Sequence, residues 1–343
     1  MRGPPPLIVR RLVLAPLVVA LSLVLIAVSP VLFLAAALVD LILARRLRAV
    51  RIVGFGIVYL AYEVAGLLGM FGLWIAARAG SRIRAPEVQA AHYRFMRWWL
   101  KAVSKAAARL IRLEIHIEER PVPRPGPILV FSRHAGPGNS LMLVGSLMVA
   151  FSRRPRIVML AKLQWEPLID VMANRLPNRF IHHDPARREL HVQAIAELAG
   201  GLGERDAFVL FPEGHDFSRR LRERAIAHLR RRGHHREAER AEAMPHVLPP
   251  RSGGVMAAIT SAPEADVVFV AHTALEDVGS FREVWGRIPL ERPIYARYWR
   301  IPASEVPRAE DELREWLFAW WARIDGWIQD RLARAEVPMA PSP

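Results

Sequence analysis

Between Leu12 and Leu43 the chain carries no charged residue except Asp40. As one helix this run of 32 residues would reach roughly 48 Å at about 1.5 Å per residue. The hydrocarbon core of a bilayer is only about 30 Å thick. Pro30, behind Ser29 near the middle, would kink or break such a helix. Two readings follow: one tilted, kinked span, or a hairpin of two short helices turning at Ser29-Pro30. A second apolar stretch, Ile52 to Ala77, has Glu63 as its one charge, and Gly66, Gly69 and Gly72 give it a small-residue stripe suited to close helix packing. A cleaved signal peptide fits poorly. The first run is too long, lacks a clear small-residue cleavage site and is followed by a second apolar segment. Residues 1–80 are therefore expected to be hydrophobic membrane-anchoring helices.

Basic residues flank these segments on every side: Arg10 and Arg11, then Arg45, Arg46, Arg48 and Arg51, then Arg78, Arg82 and Arg84. Keeping all three clusters on the cytoplasmic face implies re-entrant hairpins, whereas two plain spans would put the middle cluster outside. Residues 81–113 change texture. Tyr93, Trp98, Trp99 and Leu100 alternate with Arg94, Arg97, Lys101 and Lys105, as in an amphipathic helix lying at a membrane interface or packed on its own domain. The formal net charge of +15 favours a polyanionic partner, either anionic lipid, a phosphorylated substrate or nucleic acid. No nucleic-acid motif accompanies it, and no nucleic-acid partner is expected. The absence of cysteine excludes a disulfide scaffold, a Cys-ligated metal site and a Cys nucleophile.

From residue 114 to 336 short apolar runs alternate with helical patterns. The strands are read at Leu113–Ile117, Ile128–Phe131, Ile157–Leu160, Arg179–Ile181, Ala207–Phe211 and Val267–Ala271. Helices are read at Leu141–Phe151, Pro167–Asn174, Arg187–Gly201, Arg219–Arg232, Gly254–Ser261 and Ala309–Leu332. That order predicts an α/β fold with a mostly parallel sheet flanked by helices, preceded by the helical membrane anchor. Residues 337–343 read as a disordered, proline-rich tail.

Two stretches carry chemistry. In Ile128-Leu-Val-Phe-Ser-Arg-His-Ala-Gly-Pro-Gly-Asn-Ser140 a strand gives way to a Gly/Pro loop with His134 at its start, and a helix pattern begins near Asn139 or Ser140. The carboxyl end of a strand is where α/β proteins build their sites. Asn139 could accept a hydrogen bond from one imidazole nitrogen and leave the other as a general base. The alternative is a strand-end histidine followed by an Asn helix cap. In Phe208-Val-Leu-Phe-Pro-Glu-Gly-His215 a second strand end puts Glu213 and Gly214 on the same sheet edge, where exposed amides can meet a phosphate.

These stretches, in this order, resemble the glycerophospholipid acyltransferase superfamily, which includes the lysophosphatidic acid and lysocardiolipin acyltransferases. The first family motif, His, four residues, Asp, is matched by His134 to Asn139, and the third, Phe-Pro-Glu-Gly, by Phe211–Gly214. The second is loosely matched by Asn178-Arg-Phe-Ile-His-His183 and the fourth by Val247-Leu-Pro-Pro-Arg-Ser-Gly-Gly254. The likeness covers roughly residues 90 to 335. It implies acyl transfer from an acyl thioester, acyl-CoA or acyl carrier protein, to a lysophospholipid such as 1-acyl-glycerol-3-phosphate, giving phosphatidic acid. His134 would be the general base and Asn139 would hold the orienting position. Glu213, Gly214, Arg179 and Arg251 would serve the acceptor and its phosphate. No metal or separate cofactor is implied. Membrane phospholipid is the expected surroundings, at a bacterial cytoplasmic membrane with the catalytic part facing the cytoplasm.

Asn139 departs from the family pattern. Its carbonyl can accept from the imidazole, but it cannot stabilise the imidazolium formed as the base takes its proton. Either activity is reduced, or a nearby carboxylate such as Glu213 or Asp216 compensates, or the chain is a catalytically impaired lipid-binding or regulatory relative.

Overall fold

The computed structural model describes residues 3–44, 47–118, 124–182, 188–273, 288–290 and 293–336. The chain forms two compact units, each gathered from separated stretches. The first is Met1–Glu114, Gly145–Arg188 and Ser280–Arg292, and the second is Ile115–Val144, Glu189–Gly279 and Pro293–Pro343. The tail 337–343 and His183 of the second motif lie outside the described residues.

The first unit opens with two apolar helices, α1 (Leu7–Ala27) and α2 (Ser29–Ile42). A single residue separates them, Val28, at φ −85° and ψ 3°. That connection is too short for an antiparallel helical hairpin, which needs two or more loop residues. The chain bends there, with Pro30 in the first turn of α2, where its missing N–H costs nothing. The next helices are α3 (Arg48–Ala76) and α4 (Pro86–Leu110). Among the described residues, two helices, Leu7–Ala27 and Arg48–Ala76, are long and apolar enough to cross a membrane.

Asp40 is buried, and its two carboxylate oxygens accept the N–H groups of Ala49 (2.9 Å) and Val50 (3.0 Å). The lone acid of the first apolar run is thus the cap of α3, satisfying orphan donors at the positive end of the helix. The glycine stripe on α3 is used in part. A Cβ on Gly66 would lie 2.5 Å from Leu168, and one on Gly69 would overlap the Phe95 ring, whereas Gly72 has open space. Arg51 donates to the Leu110 carbonyl (3.1 Å) and Trp99 donates to the Tyr62 carbonyl (2.9 Å), so α3 and α4 run antiparallel side by side. At the start of α1, Arg10 and Arg11 meet Asp170 at 2.6 Å and 3.3 Å. Asp170 lies on α6 (Pro167–Arg175), which follows α5 (Pro137–Gly145), a helix that starts in the second unit. Two parallel strands complete this unit, β3 (Arg154–Leu160) and β4 (Arg179–Ile181).

The second unit is a sheet in the order β1 (Ile115–Glu118), β7 (Ile294–Ile301), β6 (Asp266–His272), β2 (Ile128–Ser132), β5 (Asp206–Leu210). Pairing is parallel except between β6 and β7. Strands β2 and β5 are buried from end to end, as expected for parallel strands covered on both faces, which read as continuous apolar runs. The helices of this unit are α7 (Arg188–Ala199), α8 (Arg219–Arg231), α9 (His235–Glu242), α10 (Ser252–Ser261) and α11 (Glu310–Glu336). Helix α11 lies on β6 with Trp316, Trp320 and Trp321 around Phe269. The expected α/β class, a mostly parallel sheet flanked by helices and preceded by apolar helices, is what the chain forms. The arginine-rich stretch after β5 is two helices, parted at Gly233, which takes φ +80°.

Candidate active site

The strand register builds the site. Phe131 of β2 stands beside Leu210 of β5, and Ser132 beside Val270 of β6. Continued past the carboxyl ends, that register brings His134, Glu213 and His272 level on three adjacent parallel strands. Glu213 is 2% exposed. One of its oxygens accepts the His134 backbone N–H (3.2 Å) and the other accepts the Leu248 N–H (3.1 Å). The third motif is therefore fastened to the first by one carboxylate oxygen and to the fourth by the other. Burial pushes the Glu213 carboxyl up to about 8, against the pull of the Arg133 guanidinium and the two N–H bonds.

Arg133 is wholly buried beneath this edge. Its fork donates to the His246 carbonyl twice (2.6 and 3.1 Å) and to the His272 carbonyl (3.0 Å). Its charge is shared with Glu213 and with Asp325 of α11, which accepts the His246 N–H (2.6 Å). His272 is held neutral, pushed down to about 3 by burial and the nearby guanidinium, and its Nε2 lies 3.3 Å from the Arg133 carbonyl. Facing a carbonyl, that nitrogen is the donor.

The same carbonyl receives the Asn139 side chain, whose amide donates at 2.8 Å. Helix α5 begins at Pro137, so Asn139 stands in its first turn and not at its cap. Proline is favoured at a first helical position because that N–H has no helical partner. The carboxylate at the imidazole is Asp216, whose Oδ1 lies 3.1 Å from His134 Nε2. The ring stacks on Phe211 with centroids 4.4 Å apart.

Gly214 takes φ +72°, and the Arg251 guanidinium lies directly over it. Arg251 is exposed, and its backbone N–H donates to the Pro212 carbonyl (3.0 Å). Among the residues singled out in the sequence, His134, Asn139, Glu213, Gly214 and Arg251 are gathered in the second unit. Arg179 opens β4 in the first unit, where it is exposed. A side chain at 214 would be strained at that φ, and its Cβ would stand 3.2 Å from the guanidinium. Gly214→Ala is expected to cost about 1 kcal/mol of stability and to displace Arg251. A thermal melt checks the cost, and a structure of the variant checks the displaced guanidinium.

Sequence reasoning missed Arg133, His272 and Asp325. Arg133 follows Ser132 in a strongly basic chain and gives no sign that it is buried.

The fold and site define an α/β protein with a histidine and acidic side chains assembled at the carboxyl ends of neighbouring parallel strands. No protein-family model matches the chain, and no curated protein matches it. The crystal structure of the 1-acyl-sn-glycerophosphate (LPA) acyltransferase PlsC from Thermotoga maritima is similar to 78% of this chain over 98% of its own length. Identity is 14% and the TM-score is 0.47.

Proposed function

We propose that the protein is a membrane-associated acyltransferase that moves an acyl group from a thioester donor to the free hydroxyl of a lysophospholipid. The observation that carries this reading is the bond between Glu213 and the His134 backbone (3.2 Å). It joins the two specific motifs of the resemblance, 79 residues apart in sequence, at one sheet edge. In the reaction the acceptor hydroxyl gives its proton to His134 as its oxygen attacks the thioester carbonyl. The carbon–sulfur bond then breaks, and the leaving thiolate takes the proton back from the imidazolium. No covalent enzyme intermediate is needed, so the lack of cysteine is no obstacle. Arg251, lying over Gly214, would pair with the acceptor phosphate. 1-acyl-glycerol-3-phosphate is the proposed acceptor, and acyl-CoA or acyl carrier protein the proposed donor. The test is purified protein in detergent, given acyl-CoA with a panel of lysophospholipids, following thiol release and product mass. Thiol release without a new lipid would exclude transfer. Lipid binding without either would favour a non-catalytic relative.

The apolar helices support attachment to a bilayer. Leu12, Leu34 and Leu41 are 72%, 72% and 78% exposed, far beyond what a water-facing surface of contiguous leucines tolerates. Helix α3, though long enough to cross, is packed against α4, and α4 carries Arg94, Arg97, Lys101, Lys105 and Arg109 along its length. A bilayer around that pair would have to hold those charges. We infer that α1 and α2 enter one face of the membrane and that α3 and α4 do not span it. The double variant Leu34→Asp, Leu41→Asp changes exposed positions only. It is expected to keep its melting temperature in detergent and to lose more than about tenfold in vesicle partition, because an acid in hydrocarbon costs about 2.5–3.5 kcal/mol. Unchanged partition would remove α2 from the bilayer.

A further inference from the structure

Asn139 occupies the motif position where an acid would orient the histidine, and its side-chain NH2 donates to the Arg133 carbonyl at 2.8 Å. A carboxylate at 139 would set two acceptors against each other at that distance. The loop after β5 supplies an acid instead. Glu213 holds the His134 N–H, and the Phe217 N–H donates to the His134 carbonyl at 2.8 Å. The segment 213–217 is therefore stitched at both ends to the backbone of one residue, and Gly214 at φ +72° lets it turn. Asp216, between the two stitches, is held with Oδ1 3.1 Å from His134 Nε2. The Phe211 ring fixes the plane of the imidazole. Oδ1 is itself buried, and the contact lacks the alignment of a formed hydrogen bond, as is common for catalytic contacts that tighten only with substrate bound.

We propose that Asp216 is the carboxylate that serves His134, replacing the acid that Asn139 cannot supply, and that Asn139 holds the loop backbone. The inference rests on the acyl-transfer reading for its chemistry. Nε2 carries its proton toward Asp216, which leaves Nδ1 as the base. The acceptor O–H bond breaks and its proton forms a bond to Nδ1, and the negative charge of Asp216 stabilises the imidazolium until the thiolate recovers the Nδ1 proton. Asp216 touches neither substrate nor the reacting carbonyl. It is a positioning residue that also carries the compensating charge.

The test uses the full chain in detergent and three variants, Asp216→Asn, Asn139→Asp and both together, with two readouts. The first is steady-state transfer. Asp216→Asn is expected to lower kcat by between about tenfold and 10⁴-fold, the upper figure being that of the corresponding change in a serine-protease triad. KM and the melting temperature should be little changed. Asn139→Asp is expected to lower the melting temperature without raising kcat. The double variant is expected to stay as slow as Asp216→Asn. The second readout does not need turnover. With ¹⁵N-histidine labelling, the Nε2 proton of the protonated ring, assigned by its absence in His134→Ala, should move upfield in Asp216→Asn and hold its position in Asn139→Asp. An unmoved resonance with unchanged kcat in Asp216→Asn would overturn the proposal while transfer by the wild type still stood. So would a rise in kcat in Asn139→Asp, or rescue in the double variant. A moved resonance in a chain that transfers no acyl group would keep the pair and overturn the reaction assigned to it.

Discussion

Replacing His134 with alanine is expected to reduce acyl transfer by about 10²–10⁴-fold, the usual worth of a positioned general base, while the fold and thioester binding persist. The ring is not what holds the loop. The His134 N–H goes to Glu213 and its carbonyl receives the Phe217 N–H, and both bonds survive loss of the side chain. The ring is largely covered on its Phe211 side, so its removal leaves a small void at the sheet edge rather than in the core. The loss should therefore fall on kcat, with little change in KM, because the proton transfer is made only in the transition state. Thiol release measured against acceptor concentration separates the two. Transfer within tenfold of wild type would remove His134 from the mechanism.

The two motifs were readable because each is a strand end followed by a turn that needs a glycine at positive φ, Gly136 at +130° and Gly214 at +72°. Parallel pairing then has little choice about where those ends meet. Phe131 lies beside Leu210, so the third residue past each, His134 and Glu213, arrives at the same level. Strand β7 was missed although its pattern is plain. Ile294, Ala296 and Tyr298 are buried, and Tyr295 and Arg297 alternate with them. Its two arginines in eight residues interrupt the apolar run, but the period of two marks the strand. Helix α5 began earlier than the asparagine suggested, because proline at a first turn is as strong a start as an Asn cap.

What could not be read was the support behind the site. Arg133 binds carbonyls of residues 246 and 272, and main-chain acceptors leave no trace in a sequence. Asp325 reaches the cluster from a helix that reads only as amphipathic. Asp216 could be suspected as a nearby acid, but its contact with Nε2 depends on the turn at Gly214 and on the Phe217 bond. The motifs specify which strands meet, and unmarked residues decide how firmly the histidine is held.

Arg133 is where that support is most exposed to test. Arg133→Ala leaves the His246 and His272 carbonyls without their donors and leaves Glu213 and Asp325 without a shared cation, all in a region closed to water. Removing one partner of a buried ionic group costs about 3–5 kcal/mol, which should lower the melting temperature on the order of 10 °C. The dependence on pH distinguishes an electrostatic role from simple loss of packing. Burial raises the native Glu213 carboxyl to about 8, whereas an unfolded glutamate titrates near 4.3. Between those values the native state keeps a proton that the unfolded state has released. This group's contribution to stability therefore falls as pH rises from about 4.3 to about 8. The guanidinium favours the ionised carboxylate and limits that fall. Without it the native carboxyl titrates higher still, and the decline continues to higher pH. The stability gap between wild type and Arg133→Ala should widen as pH passes 8, and Glu213→Gln should flatten the dependence in both backgrounds. A gap constant from pH 6 to 9 would mean that Arg133 supports His134 by filling space and bonding carbonyls, and that its charge is not sensed by Glu213.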